Sequence, residues 1–203
     1  MRWTRALQAL AQTGLTYAEG PYDRERYEAV QRIAAEMAAA AGGEEPAELL
    51  ARFAEESGYR TPKVDVRGVV LDMERLLLVR EPESDGWCLP GGWADVGESL
   101  AEAVVREVRE ESGYSTRAVK LLAVLNLGRY QDGRPLRPNI YKLFVRCELV
   151  ADEPGPLIGA ETGEAAFFTE DELPELSAPR GTRELLARLF EHARQPDLPT
   201  DFD

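Results

Sequence analysis

Gly92-Trp93-Ala94-Asp95-Val96-Gly97-Glu98-Ser99-Leu100-Ala101-Glu102-Ala103-Val104-Val105-Arg106-Glu107-Val108-Arg109-Glu110-Glu111-Ser112-Gly113-Tyr114 is a glycine loop running into an amphipathic helix. Ser99 followed by Glu102 predicts a capping box at the helix start, and Gly113 a left-handed stop at its end. Leu100, Ala101, Val104, Val105 and Val108 form an apolar stripe that faces a core. Glu107, Glu110 and Glu111 lie three and four residues apart, so their side chains fall on one side of the helix. Like charges so placed repel, and the cluster calls for a compensating cation. Carboxylate oxygens are hard ligands suited to Mg²⁺, which takes its remaining ligands from water and substrate phosphates. The pattern points to metal-assisted chemistry on a phosphate compound.

Gly92, Glu98, Arg106-Glu107, Val108, Arg109, Glu110-Glu111, Ser112 and Gly113 match the Nudix box, and the chain resembles the Nudix hydrolases. Trp87-Cys88-Leu89-Pro90-Gly91-Gly92 resembles the approach to the box in the same family. Tyr114 departs from it, standing where the family usually has an aliphatic residue. The resemblance implies a Nudix α/β/α sandwich with a mixed sheet and hydrolysis of a phosphoanhydride bond with Mg²⁺ or Mn²⁺. The metal ligands it implies are Glu107, Glu110 and Glu111, with a contribution from the Gly92 carbonyl. Arg106 would hold a glutamate in orientation, and Glu98 would stand behind the ligands or act through water. The general base, which the family places either within the box or on a later loop, is left among Glu107, Glu161 and Glu164. Arg109 reads as a partner for the carboxylates or as a plain surface residue.

Composition narrows the classes. A net charge of −13 argues against non-specific binding to nucleic-acid backbones, where basic patches dominate affinity, and leaves a short RNA open as a substrate. No segment approaches the roughly 20 apolar residues of a membrane span. The N-terminal segment Met1-Arg2-Trp3-Thr4-Arg5 is basic, but Gln8 and Gln12 interrupt the stretch after it, so a secretory signal is not expected. Cys88 and Cys147 have no metal-ligand spacing and read as reduced thiols of a cytoplasmic protein. His192 is the one histidine, which excludes a histidine triad or zinc site.

Along the chain, residues 1–60 read as helices and residues 61–203 as a second domain. Trp3, Leu7, Leu10 and Ala11 recur at helical spacing. Asp23 reads as the cap of a second helix stopped by Gly42-Gly43, and Pro46 as the first turn of a third that Gly58 ends. From Lys63 the period changes. Val64 to Leu71 and Leu76 to Val79 predict a hairpin turning at Asp72-Met73-Glu74. Strands are expected over 118–127, 140–150 and 165–168, and a last helix over 182–194 with Leu185, Leu186, Leu189 and Phe190 buried. The tail from Asp197 to Asp203 reads as part of the acidic excess.

Leu15-Thr16-Tyr17-Ala18 and Pro21-Tyr22-Asp23-Arg24-Glu25-Arg26-Tyr27 are similar to the helical N-terminal extension of one Nudix subgroup. Its members hydrolyse nucleoside diphosphates linked to another moiety, of the CDP-choline or ADP-ribose type. That resemblance implies a homodimer through the extension and a small nucleotide substrate, with no membrane and no stable nucleic-acid partner. Tyr17, Tyr22 and Tyr27 would either stack on a nucleobase or pack in a core or dimer interface. Arg80, Arg129, Arg134 and Arg137 are candidate phosphate contacts, and Tyr130 a candidate substrate contact. Two other readings stand beside the favoured one. The same site would serve a nucleoside triphosphate, dinucleoside polyphosphate or RNA hydrolase, or the domain would be a non-catalytic nucleotide-binding module. The presence of all the box glutamates counts against the module.

Overall fold

A computed structural model describes residues 2–81, 85–126, 139–151, 154–155, 164–177 and 182–203, with the backbone alone for Arg2. The chain divides into two compact units, with a boundary at Pro62 and Lys63.

The first unit holds α1 (Arg2–Tyr17), α2 (Pro21–Gly42) and α3 (Pro46–Ala54). Gly14 lets α2 approach α1, because an added Cβ would lie 2.2 Å from the Tyr27 ring. Ala35 and Ala38 of α2 pack on Leu49 and Phe53 of α3. Gln8 and Gln12, which the sequence presents only as interruptions of an apolar run, are buried. They bond each other at 3.0 Å, and Gln12 donates to the Gly58 carbonyl at 3.2 Å, tying the segment after α3 to α1. Two boundaries differ from expectation. Gly20 is the residue preceding α2, with Pro21 in the first turn, while Asp23 lies inside that turn and pairs with Arg26 at 2.8 Å. The last residue of α3 is Ala54, four before Gly58.

The second unit is built on a mixed sheet: β1 (Lys63–Asp72), β2 (Arg75–Arg80), β3 (Trp87–Cys88), β4 (Thr116–Asn126), β5 (Ile140–Leu149), β6 (Ala165–Phe168) and β7 (Asp201–Phe202), with α4 (Leu100–Ser112) and α5 (Arg183–Arg194). Among the described residues the strand order is β3-β2-β1-β5-β4-β7, with β6 also paired to β2. β1 runs parallel to β5, and β4 antiparallel to it. The β1–β2 hairpin turns at Met73 and Glu74, both with positive φ, as a two-residue turn of this hand requires. Each face of the sheet carries a helix. Ala103, Val104 and Val108 of α4 pack on Val66, Val70 and Val145. Leu186, Leu189 and Phe190 of α5 pack on Val69, Leu122 and Phe144. Burial on both faces explains why β1 is closed to solvent from Asp65 to Val70 without alternation. This is the α/β sandwich with an all-helical N-terminal extension that the sequence implies.

The chain's end is the feature the sequence hid. Asp201 and Phe202 add a short parallel strand to β4. Asp201 accepts from Arg188 at 2.6 and 2.7 Å and sits 3.0 Å from the buried His192 ring nitrogen. The hydrogen bonds from Arg188 hold the Asp201 carboxyl down at about 2, from an ordinary 3.8. A carboxylate depressed in this way stabilises the folded chain above its unfolded pKa, and the contribution disappears as pH falls through the folded value. Its side chain is 29 % exposed, so the contribution is on the order of 1–2 kcal/mol. Asp201→Asn is therefore expected to melt a few degrees lower than the parent at neutral pH. Calorimetry across pH should show that gap closing between about pH 4 and pH 2. A gap that persists unchanged at acid pH would assign the effect to packing of the strand instead.

Candidate functional site

The loop Leu89–Gly92 is laid against β1 by backbone bonds. Gly68 donates to the Pro90 carbonyl and Val66 to the Gly92 carbonyl, both at 2.8 Å. The fit is close: a Cβ on Gly91, which has φ 143°, would lie 2.0 Å from the Val66 carbonyl oxygen. A Cβ on Gly68 would lie 2.3 Å from Val108, so α4 also rests directly on β1. Two glycines thereby bring strand, loop and helix together.

Beneath the loop is a buried ion pair. Arg67 donates to both Asp65 oxygens at 2.8 Å and to the Leu89 carbonyl at 3.1 Å. Burial opposes the charge on Arg67, but the hydrogen bonds and charge of Asp65 outweigh it and raise its pKa. Asp65 and Arg67 were not among the expected site residues. The signal was available: two charges two residues apart in an otherwise apolar strand must share a face.

Above the loop lie the α4 carboxylates, displayed by the helix that Ser99 and Glu102 cap as expected. Glu111 accepts the Gly91 N–H at 2.8 Å. The Glu107 carboxylate lies against Gly92, where a Cβ would be 2.9 Å from its oxygen. Arg106 is the hub. It bonds Glu98 at 2.8 and 2.9 Å, Glu107 at 2.8 Å and Glu110 at 3.1 Å, and donates to the Trp93 carbonyl at 3.3 Å. These hydrogen bonds, that to Glu98 foremost, raise the Arg106 pKa, and the same contact lowers that of Glu98. Glu107, with its side chain 13 % exposed, behaves differently. Burial pushes its carboxyl above the usual range against the pull of Arg106, and the Glu110 charge adds to the rise.

The three carboxylates do not converge on a single point. Among the described residues, no three acidic, histidine or cysteine side chains stand close enough together to hold a metal ion. The contacts divide them: Arg106 takes Glu107 and Glu110, and the Gly91 amide takes Glu111. The donor set nonetheless fits a hard divalent cation. All its side-chain donors are carboxylate oxygens on one helix, and two of them border a glycine backbone. The Gly92 carbonyl, although it accepts from Val66, retains a second lone pair.

Arg80 and Glu164 join each other, through the Arg80 N–H to the Glu164 carbonyl at 2.8 Å and their side chains at 3.4 Å. Arg80 also pairs with Asp85 at 2.7 Å. Among the described residues, Arg109 bonds Ser115 at 3.0 Å and no carboxylate. Tyr17 and Tyr22 are exposed in the helical unit, where Tyr17, Tyr27 and Tyr59 border a cavity of about 860 Å³. Arg129, Tyr130, Arg134, Arg137 and Glu161 lie outside the described residues.

The chain matches known families and proteins along most of its length. Residues 60–189 match the NUDIX domain, and residues 1–53 match a UDP-X-like, N-terminal oligomerisation domain. The chain is 44 % identical over 198 residues to a putative ADP-ribose pyrophosphatase, YjhB, of Bacillus subtilis (strain 168), covering 97 % of this chain and 93 % of the relative. Among solved structures, an ADP-ribose pyrophosphatase from Streptococcus suis 89-1591 is 36 % identical with a TM-score of 0.62, covering 70 % of this chain and all of its own. A UDP-X diphosphatase is 32 % identical with a TM-score of 0.63, covering all of this chain and 97 % of its own. The chain belongs to the Nudix hydrolase family. It is an enzyme that cleaves phosphoanhydride bonds, a pyrophosphohydrolase acting on a nucleotide diphosphate moiety, and it carries the family's N-terminal oligomerisation domain. Among the described residues, no helix is long and apolar enough to cross a membrane.

Proposed function

We propose that the protein hydrolyses a nucleoside diphosphate linked to a second moiety, of the ADP-ribose or CDP-choline type, to a nucleoside monophosphate and the phosphorylated second moiety. The observation that carries this reading is the placement of Glu107 and Glu111 along the Gly91-Gly92 backbone, with Arg106 fixing Glu98, Glu107 and Glu110 behind them. Glu107, Glu110 and Glu111, with the Gly92 carbonyl, would hold Mg²⁺ or Mn²⁺. When bound, such an ion neutralises phosphate oxygens and makes water more acidic. Arg106 keeps the carboxylates oriented without itself facing the phosphorus. For proton removal from the attacking water, the position of Glu107 at this cluster favours it over Glu164, which stands at the Arg80 pair, and Glu161, outside the described residues, stays a candidate beside it.

The expected division at residues 60 and 61, two residues before the boundary of the compact units, would then separate two tasks: chemistry in 61–203 and self-association, as a homodimer, in 1–60. Trp3, Leu10 and Tyr17 support the second task, since they are spaced seven residues apart on α1 and all are exposed. A cytoplasmic location is in keeping with Cys88 and Cys147 as free thiols.

A substrate panel with Mg²⁺ or Mn²⁺, its products identified by mass, tests the reading. ADP-ribose, CDP-choline and a UDP-linked sugar stand against a nucleoside triphosphate and a 5′-triphosphate RNA. The expected result is a nucleoside monophosphate from at least one diphosphate-linked substrate at a kcat/KM well above those of the last two. Turnover confined to the triphosphate or the RNA would replace this reading with the second one. The UDP-linked arm is included because of the full-length likeness to a UDP-X diphosphatase.

A further inference from the structure

Trp93, the residue after the loop glycines, is fixed by its backbone and open at its ring. It forms an isolated antiparallel bridge with Asp65, and the next residue, Ala94, donates to the Val64 carbonyl at 3.1 Å. Arg106 holds its carbonyl. The residue is nevertheless 48 % exposed. It borders a cavity of about 570 Å³ in the catalytic unit, together with Val64, Leu100 and Leu143 and with Lys63, Asp95 and Glu98. That volume is within the roughly 300–1,000 Å³ of small-molecule sites.

Position and charge restrict the occupant. Glu98 belongs both to this cavity and to the Arg106 network that reaches Glu107 and Glu110. A group in the cavity is therefore adjacent to the acidic cluster. Lys63, Asp95 and Glu98 give the lining charges of both signs, and Arg106 already pairs with the two carboxylates; the rest of the wall is apolar, which suits the uncharged, planar part of a nucleotide. An aromatic platform beside apolar side chains suits any base, because every base has a π-face.

We infer that Trp93 is the surface on which the nucleobase of the substrate stacks while the diphosphate lies at the α4 carboxylates. This rests on the reading of the substrate as a nucleotide. It is tested without turnover, by calorimetric titration of the full chain with AMP, CMP and ribose 5-phosphate in Mg²⁺. The last carries a phosphate and a sugar but no base. Trp93→Ala is expected to weaken AMP and CMP by about 10- to 100-fold, and ribose 5-phosphate by less than about twofold. Trp93→Leu, apolar but without a π-face, should behave like Trp93→Ala. Trp93→Phe should stay within about threefold of the parent, and its retained binding also reports that the loop still folds. Equal losses for AMP and ribose 5-phosphate, parent-like AMP binding by Trp93→Ala, or no AMP and CMP binding by the parent would each overturn the inference. An inactive substrate panel would instead strike the functional reading, leaving base binding to be judged on its own.

Discussion

Glu111→Gln should lower kcat/KM by roughly 10²–10³-fold, the scale on which a group stabilising transition-state charge is lost. The fold should survive, because the glutamine carbonyl oxygen can still accept the Gly91 N–H that Glu111 accepts at 2.8 Å. What the substitution removes is the negative charge, and with it the ability to share a hard cation with Glu107 and Glu110. Steady-state hydrolysis at high Mg²⁺ together with a melting curve separates the outcomes. Near-parental turnover would end the assignment of Glu111 as a metal ligand. A large fall in melting temperature would show that the loop depended on the charged form of the contact.

Asp65→Asn should be more destabilising than either Glu111→Gln or Asp201→Asn. It leaves Arg67, itself 3 % exposed, as a buried guanidinium without the carboxylate that receives two of its hydrogen bonds. Breaking a buried pair from one side costs about 3–5 kcal/mol, or a fall of roughly 10 °C for a chain of this size. Exchanging both partners, as Asp65→Val with Arg67→Leu, should cost less than Asp65→Asn alone, since no buried charge then remains. The double variant should nonetheless stay poorly active, because Arg67 also holds the Leu89 carbonyl and so the loop that carries Gly91 and Gly92. Thermal melting and hydrolysis rates on the two variants check both statements. A double variant less stable than Asp65→Asn would mean that the pair itself, rather than the stranded charge, carries the energy.

Much of the catalytic unit was legible because its signals are local. The capping box at Ser99, the stop at Gly113 and the hairpin turn at Met73-Glu74 are each set by a few neighbouring residues, and each forms as expected. Helical spacing alone put Glu107, Glu110 and Glu111 on one side of α4. Where the signal was not local, the structure departs from expectation. Asp201 gave no hint of a strand, because its partners Arg188 and His192 sit on a helix and its sheet neighbour is Ala123. Asp23 reads as a cap by residue type, but Pro21 in the first turn of α2 makes Gly20 the residue that precedes the helix.

The order of residues from Gly92 to Gly113 is sufficient to specify a capped helix with carboxylates at one edge, and hence the class of chemistry, because helix periodicity and capping depend on near neighbours. Which partners those carboxylates take is a tertiary matter. Arg106 gathers Glu98, Glu107 and Glu110, and the Gly91 amide takes Glu111, only once Gly68 and Gly91 allow α4 and the loop to close on β1. The hold of Arg67 on the Leu89 carbonyl and the open face of Trp93 arise in the same way: long-range contacts and exposure are set by distances in space, and chain spacing does not encode them.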